Sequence, residues 1–287
     1  MTPASRVMVG RYEALWLRDA FFALDGGTMF NTVPRFLWQR KAPPDAQHRV
    51  RIGLNCLLLR GEGRVILVDA GVGNKLSANE RRIYDVAAEP DLLRRLADAG
   101  VPPESVDTVV LTHLHLDHAG WLTARQGGRL VPTFPNARHV IQKAEWEAAH
   151  HPNELTRGSY RPEDFDPVAD RGLTDLVEGA AVVAPSVTVT LTGAHCPGHQ
   201  IVTVESGADA LVCPSELLPT TWHLRASWLM SYDLDPIKVL EAKKELMRRA
   251  AAAGQILFLN HDPATAFGRL RATAEGEYAW EPIAEAR

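Results

Sequence analysis

Cysteine is scarce: Cys56, Cys196 and Cys213 are the only three in 287 residues. They form no C-x-x-C pair and cannot build a disulfide framework, which points to a reducing compartment or to indifference to redox state. Basic excess is missing too. The 31 Lys+Arg against 35 Asp+Glu leave a formal charge of −4, so the chain offers no positive field for a phosphate backbone and nucleic acid drops out as a first partner. No apolar run reaches the roughly 18–20 residues that span a bilayer, and the amino terminus lacks a basic stretch followed by an apolar one. The expectation is a cytoplasmic protein with no membrane partner. No Pro/Gly/Ser-rich linker or fixed-period repeat divides the chain, so residues 1–287 read as a single domain. Against these absences stand a composition of 46% hydrophobic and 23% charged residues, which suits a folded globular chain, and 11 histidines, six of them in three short blocks.

Strands and helices interleave along both halves. LNCLLL (54–59) and RVILVDAG (64–71) are apolar runs joined by Gly61-Glu62-Gly63, a strand hairpin ending at Asp69. PDLLRRLADAG (90–100) reads as a helix with Leu92, Leu93 and Leu96 on one face and Gly100 as its stop. VDTVVLTHLHLDHAG (106–120) begins as a buried β-branched strand and turns polar. ARHVIQ (137–142) predicts a strand and KAEWEAAHH (143–151) a short helix. VTVTLTG (187–193), IVTVE (201–205), ALVC (210–213) and ILFLN (256–260) are further strands. The strongest helix runs from the N-cap Asp235 through Pro236 to Gly254. Segments 152–180 and 262–287 show no periodicity. Interleaving of this kind predicts an α/β architecture in which helices cover sheets.

The segment Thr112-His113-Leu114-His115-Leu116-Asp117-His118-Ala119-Gly120 directly follows an apolar run. In an extended chain side chains alternate, so His113, His115 and Asp117 project to one side, and a turn after Asp117 brings His118 round beside them. Imidazole and carboxylate without thiolate suit zinc, and also iron or manganese, better than copper(I) or an iron–sulfur cluster. A polar strand end with solvated histidines is the plainer alternative, but chance seldom packs three His and one Asp so closely.

This block resembles the H-x-H-x-D-H signature of the metallo-β-lactamase superfamily. Two later blocks fit the family's order. Thr192-Gly193-Ala194-His195-Cys196-Pro197-Gly198-His199 resembles its T-P-G-H-T-P-G-H, and Phe258-Leu259-Asn260-His261-Asp262-Pro263 puts His261 at the end of an apolar strand. Asp69 matches a structural aspartate of the same family. The resemblance covers about residues 50–265 and implies a four-layered αββα sandwich with its metal site where the two sheets meet. Residues 1–50 then form an amino-terminal extension with an active-site loop. The implied cofactors are two divalent ions, zinc first, with manganese, cobalt or iron as alternatives. His113, His115 and His195 would hold one ion, and Asp117, His118 and His261 the other. His199 falls at a position behind the ligands. The family's bridging acid is normally Asp in a phrase resembling F-x-A-D-L-I-P-T. Here the phrase is Val212-Cys213-Pro214-Ser215-Glu216-Leu217-Leu218-Pro219-Thr220, so Glu216 is the aligned residue. The rival Asp209 lies at the other end of the strand ALVC, roughly 13–17 Å away at about 3.3 Å per residue.

Such a centre implies a metal-bound hydroxide as nucleophile, with Asp117 as the catalytic residue that orients it and returns a proton to the leaving group. The expected substrate is a small ester or lactone of the N-acyl homoserine lactone type. The alternative is a phosphotriester, as for enzymes similar to methyl parathion hydrolase. A β-lactamase, a mononuclear iron dioxygenase and a degenerate non-catalytic binding module rank lower. Lactonases of the family often carry a tyrosine three residues after the bridging acid, where this chain has Pro219. Asp25-Gly26-Gly27-Thr28-Met29-Phe30 resembles a loop that overhangs the metals in lactonase-like members, which makes Met29 and Phe30 substrate-binding candidates, with burial in the core the equal alternative. Trp222 and His223 are candidates for pocket wall. Cys196 reads as an inert small residue, His150 and His151 as helix-end residues bonding the last carbonyls, and His139 and His48 as surface residues. A small-molecule substrate is the one partner expected, and a homodimer is left open.

Overall fold

The computed structural model describes residues 5–284. Its strands begin with β1 (Arg6–Val9), β2 (Tyr12–Asp25), β3 (Arg49–Gly61), β4 (Arg64–Val68), β5 (Thr108–Val110), β6 (Thr123–Gln126), β7 (Arg129–Pro132), β8 (Arg138–Gln142) and β9 (Thr174–Val177). The second half adds β10 (Ala180–Ala184), β11 (Val187–Leu191), β12 (Gln200–Ser206), β13 (Asp209–Cys213), β14 (Ile256–Phe258), β15 (Phe267–Ala272) and β16 (Tyr278–Pro282). The helices are α1 (Gly26–Phe30), α2 (Arg35–Trp38), α3 (Ala78–Ile83), α4 (Leu92–Asp98), α5 (Leu116–Ala119), α6 (Lys143–His150), α7 (Pro162–Ala169) and α8 (Pro236–Ala253). One seven-stranded sheet has the order β1-β2-β3-β4-β5-β8-β9 and the other β10-β11-β12-β13-β14-β15-β16, with β6-β7 apart as a hairpin.

Alternation along the strands divides their side chains between two environments. Leu57, Leu59, Ile66, Val68, Val110 and Val140 of the first sheet pack against Val189, Val202, Val204, Leu211 and Phe258 of the second. The residues between them, Cys56, Leu58, Leu67, Val109 and Ile141, face Leu92 and Leu96 of α4 and Phe165 and Val168 of α7. Beyond the second sheet, Val212 and Leu257 meet Val239, Leu246, Met247 and Ala250 of α8. The layers are therefore α, β, β, α. Both faces of each sheet are covered, which is why VVL and, Asn55 apart, LNCLLL are apolar instead of alternating. Helix α8 begins and ends as its sequence predicts: the Asp235 carboxylate accepts from Lys238 N at 3.0 Å, and Gly254 closes the helix at φ 61°.

Among the described residues ahead of position 50, two strands are part of the sandwich. β1 and β2 belong to the first sheet, and β2 pairs with β3 from Tyr12↔Gly61 to Asp25↔Arg49. A break in register between Arg18 and Ala20 switches the faces halfway along and turns Asp19 inward, so no single alternation marks the strand. Sheet edges explain the other silent stretches. β9 and β16 are edge strands with exposed or half-buried residues such as Leu176 and Tyr278, and they carry no long apolar run.

β4 and β5 are parallel, β13 and β14 are parallel, and β11 runs in the same direction as β13 through two antiparallel pairings. The carboxyl ends of these five strands open at one edge of the sandwich, and the loops that follow them carry the histidine blocks.

Candidate metal centre

β5 stops at Val110, and a single helical turn, α5, starts at Leu116. Asp117 and His118 thus reach the site from a turn of helix, and the strand-like alternation expected over residues 113–117 does not occur. The cause is Asp69, just beyond β4 and held at φ 58°. Its carboxylate accepts from Thr112 N at 2.8 Å and pairs with His118 Nδ1 at 2.9 Å, folding the segment back on itself. Asn260 Nδ2 donates to the same carboxylate at 2.8 Å, tying the second sheet to the first.

Donor atoms of His113, His115 and His195 lie within 4.8 Å of one another, as do those of His113, His118 and Glu216, and those of Asp117, His118 and His261. All seven expected ligand residues therefore meet, whereas the Asp209 carboxylate is occupied elsewhere, accepting from Gly10 N at 3.2 Å. Outer partners fix the imidazoles. His118 Nδ1 faces Asp69, His195 Nδ1 faces Asp233 Oδ1 at 2.8 Å, and His261 Nδ1 faces the Gly53 carbonyl at 2.9 Å. These acceptors engage the Nδ1 atoms, so Nε2 is the nitrogen that each ring turns towards the cluster. There His118 Nε2 and His261 Nε2 stand 3.1 Å apart, with Glu216 Oε1 at 3.2 Å and 2.7 Å from them. His113 Nε2 is buried with no partner at all. Acceptor atoms crowded in a dry place repel unless positive charge sits among them, so the donor set fits a divalent cation.

Electrostatics separates the imidazoles. Burial, with His118, His115 and His195 adding to it, holds His113 well below its ordinary value, and burial with His195 does the same to His115. Burial also opposes charge on His118, but the Asp69 and Asp117 carboxylates outweigh it and raise that imidazole. Burial would lift Glu216, yet His261 and His118 pull its carboxyl well below the usual carboxylate range.

A cavity of about 100 Å³ opens above this cluster. The ligand side chains form its floor, and Phe22, Leu24, Met29, Ile52, Tyr84, Met230 and Tyr232 line its sides. Phe22 and Tyr84 stack at 4.5 Å. Of the four substrate-binding candidates, Met29 reaches the cavity and Phe30, Trp222 and His223 do not. Phe30 is fully buried, stacked on Trp38 at 5.3 Å and on His223 at 5.1 Å. Trp222 packs 6.1 Å from the Phe30 ring. His223 lies 2.9 Å from the Met29 carbonyl and 2.8 Å from Thr220 Oγ1, so it braces the wall from behind. The wall comes from β2, β3, α1 and the loops that carry Tyr84, Met230 and Tyr232, and apart from Met29 no local motif announces it.

His139 is also corrected: it is 0% exposed, because β8 is flanked by β5 and β9 inside the sheet. His150 and His151 do bond carbonyls at the end of α6, those of Trp146 at 2.8 Å and Glu147 at 3.1 Å. Cys196 is buried beside Glu145, and its thiol is pushed up by burial and by that carboxylate. Asp233 and Glu145 are the residues that sequence reasoning missed. Each lies far along the chain from the ligands it supports, and neither belongs to a recognisable block.

A model of the metallo-beta-lactamase superfamily matches residues 51–246. The chain belongs to this superfamily. An N-acyl homoserine lactonase of Bacillus cereus is 31% identical over 168 residues, which cover 55% of this chain and 60% of that one, less than two thirds of the relative's length. A probable metal-dependent hydrolase from Staphylococcus aureus superposes with a TM-score of 0.90 at 26% identity, over 98% of this chain and 100% of that one. AidC, a dizinc quorum-quenching lactonase in complex with a product, shares the fold with a TM-score of 0.80 at 21% identity, over 98% of each chain. Within this metallo-β-lactamase fold, Glu216 rises from a short 3-10 turn, Ser215–Leu217, that starts at a positive φ of 48° on Ser215. His199, which joins none of the three ligand groups, accepts from Glu216 N at 3.2 Å and so fixes the turn that aims the carboxylate.

Proposed function

We propose that this protein is a metal-dependent hydrolase of small lactones or esters, of the N-acyl homoserine lactone type, acting in the cytoplasm with two divalent ions, zinc first. The observation that carries the reading is the meeting of three overlapping ligand groups on the floor of a cavity with an apolar wall. The Bacillus cereus relative and the dizinc lactonase of the same fold support the substrate class.

In this reading His113, His115 and His195 would hold one ion, Asp117, His118 and His261 would hold the other, and Glu216, which groups with His113 and His118, would serve both. Such ions would supply Lewis acidity towards a carbonyl oxygen and lower the pKa of water. The chain's own groups do the rest. Asp117 is 18% exposed in its side chain, and its Oδ2 stands 3.9 Å from His118 Nε2 and 3.8 Å from His261 Nε2. It is the more exposed of the two carboxylates that line the cavity, the Glu216 side chain being 3% exposed, and it is placed to orient water, to take up the proton that water releases and to pass it from Oδ2 to the departing alkoxide. Phe22, Ile52, Met29 and Met230 offer an apolar surface to an acyl group and shed water from it. Asp233 keeps His195 turned towards the floor.

The test is a hydrolysis screen of purified, metal-assayed protein against homoserine lactones with varied acyl chains, aryl esters, phosphotriesters and a chromogenic β-lactam. Turnover highest on lactones or esters, and lost in His115→Ala and His195→Ala, is the expected result. Turnover confined to phosphotriesters or to the β-lactam would replace the reading.

A further inference from the structure

Glu145, in the first turn of α6, is 0% exposed and forms no ion pair with Lys or Arg among the described residues. A buried carboxylate without a cation is costly unless donors surround it. Here the donors come from the two loops that carry the ligand candidates His113, His115 and His195. Oε1 accepts from Leu114 N at 2.9 Å, and Leu114 is the residue between His113 and His115. Oε2 accepts from Gly198 N at 3.0 Å and from Cys196 Sγ at 3.1 Å, directly after His195. The joint is close-packed as well as bonded. A Cβ at Gly198 would lie 2.2 Å from Glu145 Cβ and Glu145 N, so the loop can press against α6 only with glycine there. His115 and His195 are 80 residues apart in the chain, and Glu145 accepts hydrogen bonds from both of their loops.

The other ligands rest on different supports. His118 leans on Asp69 and His261 on the Gly53 carbonyl, and Glu145 touches neither. We propose that Glu145 is the positioning residue for the His113–His115–His195 group: it couples the two loops and sets the affinity for the cation that this group takes, without governing the Asp117–His118–His261 group. The proposal rests on the metal reading above and adds a division of labour behind it.

The experiment is a zinc-binding isotherm by chelator competition on the 287-residue chain, with circular dichroism to follow the fold. Glu145→Gln keeps the shape but replaces one acceptor oxygen with an NH2 group, so whichever way the amide turns, one loop loses its acceptor. Gly198→Ala disturbs the same joint from the loop side and serves as an independent variant. Wild type is expected to bind two equivalents of zinc. In each variant one equivalent should weaken about tenfold or more while the other stays as in wild type. His195→Ala should show the same single loss, and adding Glu145→Gln to it should leave the surviving equivalent unchanged. Parallel weakening of both equivalents, unchanged isotherms in folded variants, or a further loss in the double variant would overturn the proposal. Wild-type protein that takes up no zinc would instead overturn the metal reading itself, a result separable from the others.

Discussion

At the scale of single residues, His139 is a buried imidazole with one weak bond, Nδ1 to the Leu173 carbonyl at 3.3 Å, and an Nε2 that has no partner. Burial lowers it to about 4 from an ordinary 6.5. The unfolded chain therefore binds a proton that the folded chain refuses, and stability falls as pH drops from 6.5 to 4. The contribution of this residue is roughly 3 kcal/mol across that window. His139→Leu should flatten the acid side of the stability profile by about 2 kcal/mol between urea melts at pH 7 and pH 4.5, and an acid loss equal to wild type would show that the imidazole is not the cause. The same residue shows where the sequence is mute. ARHVIQ reads as a strand, but nothing in it tells whether a further strand lies alongside. The ligand histidines were legible because several of them crowd into short runs. Asp233 and Glu145 were not, because each acts on loops far away in sequence.

At the scale of elements, the α5 turn that delivers Asp117 and His118 is stitched to the segment after β4. Ala70 N donates to the His118 carbonyl at 2.6 Å, Gly120 N to the Gly71 carbonyl at 2.7 Å, and Trp121 N to the Ala70 carbonyl at 2.8 Å. Contact at Gly120 is so close that a Cβ would meet Val72 C at 2.0 Å and Val72 O at 2.1 Å. Both are backbone atoms and cannot swing away. Gly120→Ala should therefore destabilise the protein by about 3 kcal/mol and release bound metal, read as a lowered denaturation midpoint and lowered metal content. A midpoint within about 0.5 kcal/mol of wild type would mean that the two segments part more easily than their bonds suggest. Elements with one environment along their length, such as α8 and the core strands β4, β5 and β14, were readable from pattern. β2 was not, because its register breaks midway. Nor were β9 and β16, which lie at sheet edges.

At the scale of the whole molecule, the proposed ligands straddle the seam between the two sheets. His113, His115, Asp117 and His118 follow strand β5 of the first, while His195, Glu216 and His261 follow strands β11, β13 and β14 of the second. Ions bound there would clamp the halves together. Each site filled at about a hundredfold above its dissociation constant adds about 2.7 kcal/mol, so removing metal with a chelator should lower the melting temperature by roughly 10 °C for a chain of this size. A melting temperature unmoved by chelation, in protein shown to have carried metal beforehand, would mean that the ions do not hold the seam.

The distances along the chain between these ligands also have a bearing on the order of folding. His118 and His261 face each other at 3.1 Å although 143 residues separate them. Loops of that length close only after the entropic cost of bringing distant strands together has been met. During folding the 113–118 run is available early and alone, a short and incomplete chelator, whereas the full set exists only in a chain whose two halves have already docked. Under the metal reading, tight uptake would then be a late event, and the fraction of chains carrying their full complement would count those that finished folding.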